Sequence, residues 1–198
     1  MDPTLRFSNR VADYVRYRPD YPQAVFETLA KFCGWDGPVT IADLGSGTGL
    51  SALGFLQRGH RVYGVEPNAE MRSAAEAQFA EQALFVSVNG SAEATGLAAA
   101  SVDLVCAAQA FHWFDVRAAA VETRRILRDN GHAAVLWNLR KTSGTAFLDR
   151  YEALLQRFGT DYSAVSERYA DPSTLAQYFG EQGYECFQFD HSQYFDFD

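Results

Sequence analysis

A run of alternating glycines is the feature of this sequence with the clearest chemical meaning. In the stretch IADLGSGTGL, an apolar segment leads to Asp43, and Gly45, Gly47 and Gly49 then stand at every second position. Glycine loses more conformational freedom on folding than any other residue, so this density has to serve a purpose. The pattern predicts a turn in which the backbone comes close to a ligand, with a ligand-free tight turn as the alternative.

The acids near this loop narrow the choice of ligand. Glu66 follows the next apolar run, where a carboxylate can accept hydrogen bonds from both hydroxyls of a ribose. A dinucleotide fingerprint needs glycine or alanine at position 50, and this chain has Leu50. Asp43 would repel a pyrophosphate, but it suits a ligand with an amino group. A nucleoside that carries an amino acid and no phosphate is S-adenosylmethionine, and we expect it as the cofactor.

Strand-like and helix-like segments alternate along the chain, which predicts an α/β fold. The fold class we expect is a Rossmann-like, mostly parallel sheet with helices on both faces. Strands are predicted near 39–44, 61–65, 84–88, 102–106 and 132–139, and helices near 22–32, 48–59, from 67, 115–127, 146–158 and 172–179. The last residues, 185–198, read as one C-terminal strand, antiparallel to the rest, which would leave the edge of the sheet incomplete.

We expect a single domain over residues 1–198, because no linker, repeat or low-complexity tract interrupts the sequence. Within it, 1–34 would form N-terminal lid helices, 39–139 the cofactor-binding core, and 140–198 the C-terminal helices and edge strand. An apolar edge near 187–197 would favour association, so both a monomer and a homodimer are compatible with the sequence.

Composition argues against several classes of partner. The formal net charge is −8 and no cluster of lysine or arginine occurs, which disfavours nucleic acid and anionic membranes as partners. The three cysteines are widely spaced, and neither they nor the histidines have metal-ligand spacing. Without an apolar leader or a run of about 20 apolar residues, the chain is expected to be cytoplasmic.

Several ordered motifs carry a resemblance to a known family. IADLGSGTG, VYGVEPNAEM, NGSAEATGL and VDLVCAAQAFHWFD together resemble the class I S-adenosylmethionine-dependent methyltransferases, over about residues 7–139. The chain is most similar to the small-molecule branch that includes trans-aconitate methyltransferase-like proteins, and YVRYRPDYP resembles the N-terminal segment of that branch. The resemblance implies a methyltransferase that acts on a small molecule.

The resemblance also implies roles for individual residues. Those expected at the cofactor are Asp43, Gly45, Ser46, Gly47, Gly49, Glu66, Pro67, Met71, Ser91, Ala92, Glu93 and Gln109. Asp43 and the loop would face the methionine part, Glu66 the ribose, and Pro67, Met71 and the 91–93 segment the adenine. The residues expected at the substrate or lid are Tyr14, Tyr17, Arg18, Phe111 and Trp113.

Several of these residues have a structural alternative. Met71 and Trp113 are also compatible with a place in the core, and Arg18 with a salt bridge to a nearby acid. Ser91 can simply form a turn, Asp43 can cap the loop, and Glu66 can be a surface acid. His112 is the candidate catalytic base, because histidine exchanges protons near neutral pH, but it can equally hydrogen-bond the substrate or its own loop.

In the expected reaction, the acceptor attacks the sulfonium methyl carbon in line with the C–S bond that breaks, and the protein mainly positions the two reactants. A carboxylate acceptor needs no base, whereas a hydroxyl or amine would use one. Two other functions remain open: a non-catalytic module that binds S-adenosylmethionine, and, less in keeping with Leu50, an NAD(P)-dependent oxidoreductase.

Overall fold

A five-stranded parallel sheet forms the centre of the protein in a computed structural model that describes residues 18–159 and 171–192. Its strands run in the order β3-β2-β1-β4-β5, and every pairing is parallel. The strands are β1 (Thr40–Leu44), β2 (Arg61–Val65), β3 (Phe85–Val88), β4 (Val102–Ala108) and β5 (Leu127–Leu136). The predicted lid residues Tyr14 and Tyr17 lie outside the described residues.

Helices cover both faces of the sheet. The helices are α1 (Gln23–Phe32), α2 (Leu50–Leu56), α3 (Ala69–Gln78), α4 (Val116–Ile126), α5 (Ala146–Phe158) and α6 (Pro172–Phe179), with 3₁₀ turns at Phe111–Trp113 and Gly180–Gln182. Of these, α5 has no buried residue and contributes to neither face. One apolar cluster joins the sheet to α1, α2 and α3, and a second joins it to α4 and α6. The predicted α/β class, with a parallel sheet between two helical layers, is confirmed.

The strand order places a switch point at β1, which lies between β2 on one side and β4 on the other. Successive connections therefore leave β1 and β4 in opposite directions, and a crevice opens at the carboxyl ends of these strands. The glycine loop follows β1 directly, so the fold carries it to this crevice.

Several element boundaries differ from prediction, and two of the differences have a clear local cause. α2 begins at Leu50 rather than near position 48, because Gly49 stands before it with a left-handed φ of 88°. β5 begins at Leu127, whereas a turn was expected over 128–131. That turn is present as an irregularity within the strand, where Asn130 has a φ of 64° and the pairing with β4 shifts.

The predicted C-terminal antiparallel strand is wrong over the residues that the structure describes. Residues 183–192 form no strand, and Tyr184, Phe187 and Phe189 are 43%, 49% and 37% exposed. A single strand gains stability only from pairing and burial, and this segment buries too little apolar surface to offset the entropy lost on ordering. The last six residues lie outside the described part of the chain.

Candidate cofactor site

The structure explains the three glycines of the loop in two different ways. A Cβ atom added to Gly45 would lie 2.5 Å from the Cβ of Ala110, and one added to Gly49 would lie 2.3 Å from Cε2 of Phe79. A Cβ at Gly47 would meet nothing within 4 Å, although its φ of 55° is also left-handed. Gly45 and Gly49 therefore allow close internal packing, whereas Gly47 leaves its space open at the crevice.

Glu66, at the end of β2, is joined to the glycine loop. Its Oε2 accepts a hydrogen bond from the Gly47 amide at 3.0 Å, and its Oε1 accepts one from the Asn68 amide at 2.8 Å. The side chain is 9% exposed, and burial raises the pKa of the carboxyl although these amides and nearby Arg72 lower it. Each oxygen keeps a further lone pair for a ligand hydroxyl.

Asp43 lies behind the loop and is completely buried. Its Oδ2 accepts a hydrogen bond from the Ser51 hydroxyl at 2.6 Å, while its Oδ1 has no hydrogen-bond partner among residues 18–159 and 171–192. The pKa of this carboxyl is raised to about 7, mainly because the group is buried; the Ser51 bond lowers the pKa and the charge of Glu66 raises it. Asp43 thus supports the loop from beneath.

The turn after Glu66 is fixed by side chains on both sides. Asn68 caps α3 by accepting a hydrogen bond from the Met71 amide at 2.9 Å, and Met71 is only 3% exposed. Arg72 donates to the carbonyl oxygens of Glu66 and Pro67 at 2.9 and 2.8 Å. Sequence reasoning did not single out Arg72, whose role depends on the local helical turn.

The segment expected at the adenine is held by α4. A short antiparallel bridge joins Ser91 to Ala94, Ala92 is 4% exposed, and the Glu93 carboxylate accepts a hydrogen bond from the Asp115 amide at 2.9 Å. The carboxylate of Glu93 therefore links the segment to the start of α4.

A buried network further along the same segment was not predicted. Glu122 of α4 accepts hydrogen bonds from the amide and the hydroxyl of Thr95 at 2.9 and 2.5 Å, and Arg125 donates to the same carboxylate. The pKa of Glu122 is lowered to about 2, mainly by the hydrogen bonds that Arg125 donates to its carboxylate. The partners lie 27 residues apart, so no local motif reveals the network.

The expected methyl-transfer edge follows β4. Gln109 has an unusual left-handed φ of 58°, and its amide donates to the carbonyl oxygen of Leu136 at 2.9 Å. Phe111 is 2% exposed and packs edge-on against the Tyr178 ring at 5.0 Å, so it belongs to the core. His112 and Trp113 are partly buried, with ring centroids 4.6 Å apart.

The structure brings most of the predicted site together along the carboxyl edge of the sheet. The 91–93 segment follows β3, Glu66 follows β2, the glycine loop follows β1 and Gln109 follows β4. Ser46 is 8% exposed, and its amide donates to the carbonyl oxygen of Val65 at 3.2 Å. Arg18 is exposed at the start of the described chain.

These features fit a ligand that contains a nucleoside and carries no phosphate. Gly47 leaves a cradle that a side chain would fill, and Glu66 holds two acceptor oxygens beside it. Within the described residues, no group of three or more His, Cys, Asp or Glu side chains is placed to hold a metal ion. No helix among them is both long and apolar enough to span a bilayer. Fold and site together define a Rossmann-like nucleoside-binding protein.

Comparison with known proteins gives the particular family. Residues 42–135 match a family described as a methyltransferase domain. An uncharacterized methyltransferase of Mycobacterium tuberculosis is 35% identical over 139 residues, which cover 70% of this chain and 54% of that relative. The chain thus spans about half the length of this relative.

Solved structures agree with the sequence relatives. A putative type II methyltransferase from Anaeromyxobacter dehalogenans is 34% identical, with a TM-score of 0.61 over 71% of this chain and 59% of that one. A putative S-adenosyl-L-methionine-dependent methyltransferase from Methanococcus maripaludis shares the fold, with 18% identity and a TM-score of 0.62 over 87% and 77% of the two chains. Residues 42–135 are thus a methyltransferase domain with the fold of the S-adenosylmethionine-dependent methyltransferases, and these similarities support S-adenosylmethionine as the cofactor.

Proposed function

We propose that this chain transfers the methyl group of S-adenosylmethionine to a small-molecule acceptor that is a carboxylate, a hydroxyl or an amine. The observation that carries the proposal is the hydrogen bond from the Gly47 amide to Glu66. This bond holds the carboxylate of Glu66 beside the open space at Gly47. When bound, the cofactor would supply an electrophilic methyl group: the acceptor would form a bond to the methyl carbon in line with the breaking C–S bond, and S-adenosylhomocysteine would leave. The protein contributes binding, orientation and the exclusion of water.

The order of the strands supports one direction for the ligand along the edge of the sheet. Adenine would lie at the 91–93 segment after β3, and the ribose at Glu66 after β2. The remaining part then crosses the glycine loop after β1 and points toward Gln109 after β4. Methyl transfer would take place near Gln109, on the side of the crevice where His112 also lies.

Glu66 is arranged to bind the ribose without first losing its own hydrogen bonds. Each carboxylate oxygen uses one lone pair for a backbone amide and keeps another for a ribose hydroxyl. The amides of Gly47 and Asn68 fix the carboxylate in place before the ligand arrives. A preorganised acceptor of this kind loses little conformational entropy on binding.

The choice of acceptor decides whether a base is needed. A carboxylate is already nucleophilic at neutral pH, so positioning alone suffices. For a hydroxyl or amine, we propose His112 as the group that takes the proton, which typically contributes about 10²- to 10⁴-fold to the rate. The net charge of −8, without a basic cluster, disfavours a nucleic acid as the acceptor.

Calorimetric titration with S-adenosylhomocysteine tests the cofactor site. We expect micromolar binding by the wild-type chain and a loss of at least about tenfold for Glu66→Ala, since hydrogen bonds to a charged acceptor contribute about 1.5–3 kcal/mol. Glu81→Ala is the matched control, because Glu81 is an exposed acid in the connection between α3 and β3. NADH in place of S-adenosylhomocysteine should neither bind nor raise the melting temperature.

Turnover is tested separately, by measuring S-adenosylhomocysteine released from S-adenosylmethionine with panels of carboxylates, alcohols and amines. A pH–rate profile for His112→Gln separates the acceptor classes: loss of rate with alcohols or amines and none with carboxylates would support a base. Binding of the cofactor without turnover on any panel would support the non-catalytic alternative instead. NADH binding in preference to S-adenosylhomocysteine would overturn the proposal.

A further inference from the structure

Asn138 lies two residues beyond β5 and joins parts of the chain that are far apart in sequence. Its Nδ2 donates hydrogen bonds to the carbonyl oxygens of Pro19 and Asp20, both at 3.2 Å. These partners precede Asn138 by 119 and 118 residues. One amide group therefore holds the approach to α1 against the carboxyl end of β5.

The backbone of Asn138 is also connected to the expected methyl-transfer edge. Nε2 of Gln109 lies 3.4 Å from the carbonyl oxygen of Asn138, a long hydrogen bond. The backbone N–H of Gln109 donates a hydrogen bond to the carbonyl oxygen of Leu136, and this bond helps to hold Gln109 in its left-handed conformation. Such a conformation costs a residue other than glycine free energy, and the surrounding contacts must stabilise it.

Residues 19–20 are thus located at one end of the crevice. β4 and β5 are neighbours at this end of the sheet, opposite to β3, where the adenine segment begins. The Asp20 side chain is directed to a further contact, with Nε2 of His191 at 3.2 Å from its Oδ1. The bonds from Asn138 to the carbonyl groups of Pro19 and Asp20 fix the position of this stretch of backbone.

We propose that Asn138 is a positioning residue that holds residues 19–20 over the end of the site where the amino-acid half of the cofactor meets the acceptor. This inference rests on the proposed function, because the direction of the ligand along the sheet is part of that function. Asn138 acts through the backbone that it holds, and its side chain donates to that backbone rather than to the ligand. The end of the site near β3 is independent of this contact.

Two ligands separate a positioning role from a general loss of stability. S-adenosylhomocysteine has both the adenosine and the amino-acid halves, whereas 5′-methylthioadenosine lacks the amino-acid half. In Asn138→Asp, a carboxylate would face the carbonyl oxygens of Pro19 and Asp20 and repel them. We expect the dissociation constant for S-adenosylhomocysteine to rise about tenfold, and that for 5′-methylthioadenosine to change less than about twofold.

Hydrogen exchange without ligand provides an independent readout. We expect the peptide spanning residues 18–26 to exchange about tenfold faster in Asn138→Asp and in Asn138→Ala, because its link to β5 is lost. Asn130→Asp is the matched control: it introduces the same charge at an exposed asparagine whose left-handed φ of 64° aspartate tolerates. The control should leave both exchange and binding unchanged.

The results that overturn the inference differ from those that overturn the proposed function. Equal weakening of both ligands in Asn138→Asp, or unchanged binding of both, would refute the positioning role while the wild-type protein still bound its cofactor. Unchanged exchange over residues 18–26 would refute it as well. If the wild-type chain bound neither ligand, the proposed function would fail and the inference would fail with it.

Discussion

The clearest test of the site is to add one methyl group to each glycine of the loop in turn. Gly47→Ala should disturb ligand binding more than folding. An added Cβ meets nothing within 4 Å, so the cost to the fold is the left-handed φ of 55° alone. For alanine this costs about 1–2 kcal/mol. In a chain of this length that corresponds to a fall in melting temperature of roughly 2–8 °C.

The same methyl group would occupy space that we assign to the ligand. An extra methyl in a well-packed interface costs about 1–3 kcal/mol, which is a loss in affinity of about 5- to 150-fold. We expect Gly47→Ala to weaken S-adenosylhomocysteine by that factor in a calorimetric titration. The melting curve of the ligand-free protein gives the effect on stability in the same preparation.

Gly59 provides a matched control for Gly47. It also has a left-handed φ, of 80°, and a Cβ there also meets nothing within 4 Å. It lies between α2 and the start of β2, at the opposite edge of the sheet from the crevice. Gly59→Ala should therefore lower the melting temperature about as much as Gly47→Ala and leave ligand affinity unchanged.

Gly49→Ala tests the packing role of the loop. Its Cβ would lie 2.3 Å from Phe79, whose side chain is only 4% exposed and has little room to move. Overpacking adds about 1–3 kcal/mol to the strain of the left-handed φ, so this variant should melt at the lowest temperature of the three. Wild-type affinity in Gly47→Ala, or equal melting of Gly49→Ala and Gly59→Ala, would refute the reasoning.

Three further predictions concern buried acids and the strained residue after β4. The pKa of Asp43 is raised to about 7, so the folded state binds the proton of this carboxyl more tightly than the unfolded state does. Melting curves should therefore show stability falling as the pH rises from about 4 to 7, and Asp43→Asn should reduce that fall. The pKa of Glu122 is lowered to about 2, so the carboxylate stabilises the fold fully above about pH 4.5 and progressively less as the pH falls below that. In denaturant titrations, Glu122→Gln should lower the free energy of unfolding by about 1–3 kcal/mol at pH 7 and by much less at pH 3. Gln109→Val should lower the melting temperature more than Gln109→Asn, because a β-branched residue tolerates a left-handed φ poorly.

Much of the core fold, and the position of the candidate site residues along the edge of the sheet, was predictable because the signals are local. An apolar run, Asp43 and three glycines predict a candidate ligand loop after a strand, and the loop follows β1; by the same logic Glu66 follows β2. Parallel strands bring their carboxyl ends to one edge, so two local motifs meet in space without any long-range information. The side chain of Asn68 as the cap of α3 follows from the same local chemistry.

The contacts that hold the site together were not predictable, because their partners are distant in sequence. Glu122 meets Thr95 across 27 residues, and Asn138 meets Pro19 across 119. Neither pairing leaves a pattern that one sequence can reveal. The predicted strand at 185–198 failed over its described part for a related reason: its alternating apolar residues suit a strand, but a strand also needs a partner and a buried face.

Asp43 shows that the site, rather than the fold, explains this part of the sequence. A completely buried carboxyl with one hydrogen-bonding neighbour and one oxygen without a partner in the described chain destabilises the fold, since an unsatisfied buried polar group costs about 1–3 kcal/mol. The strand that carries it would be more stable with an apolar residue, as at the neighbouring Ala42 and Leu44. Its remaining bond, from Ser51 at the start of α2, ties that helix to the end of β1 on either side of the glycines. The buried acid therefore lowers the stability of the fold, but its bond to Ser51 holds both ends of the loop in place. A loop held in this way keeps the space at Gly47 open for a ligand.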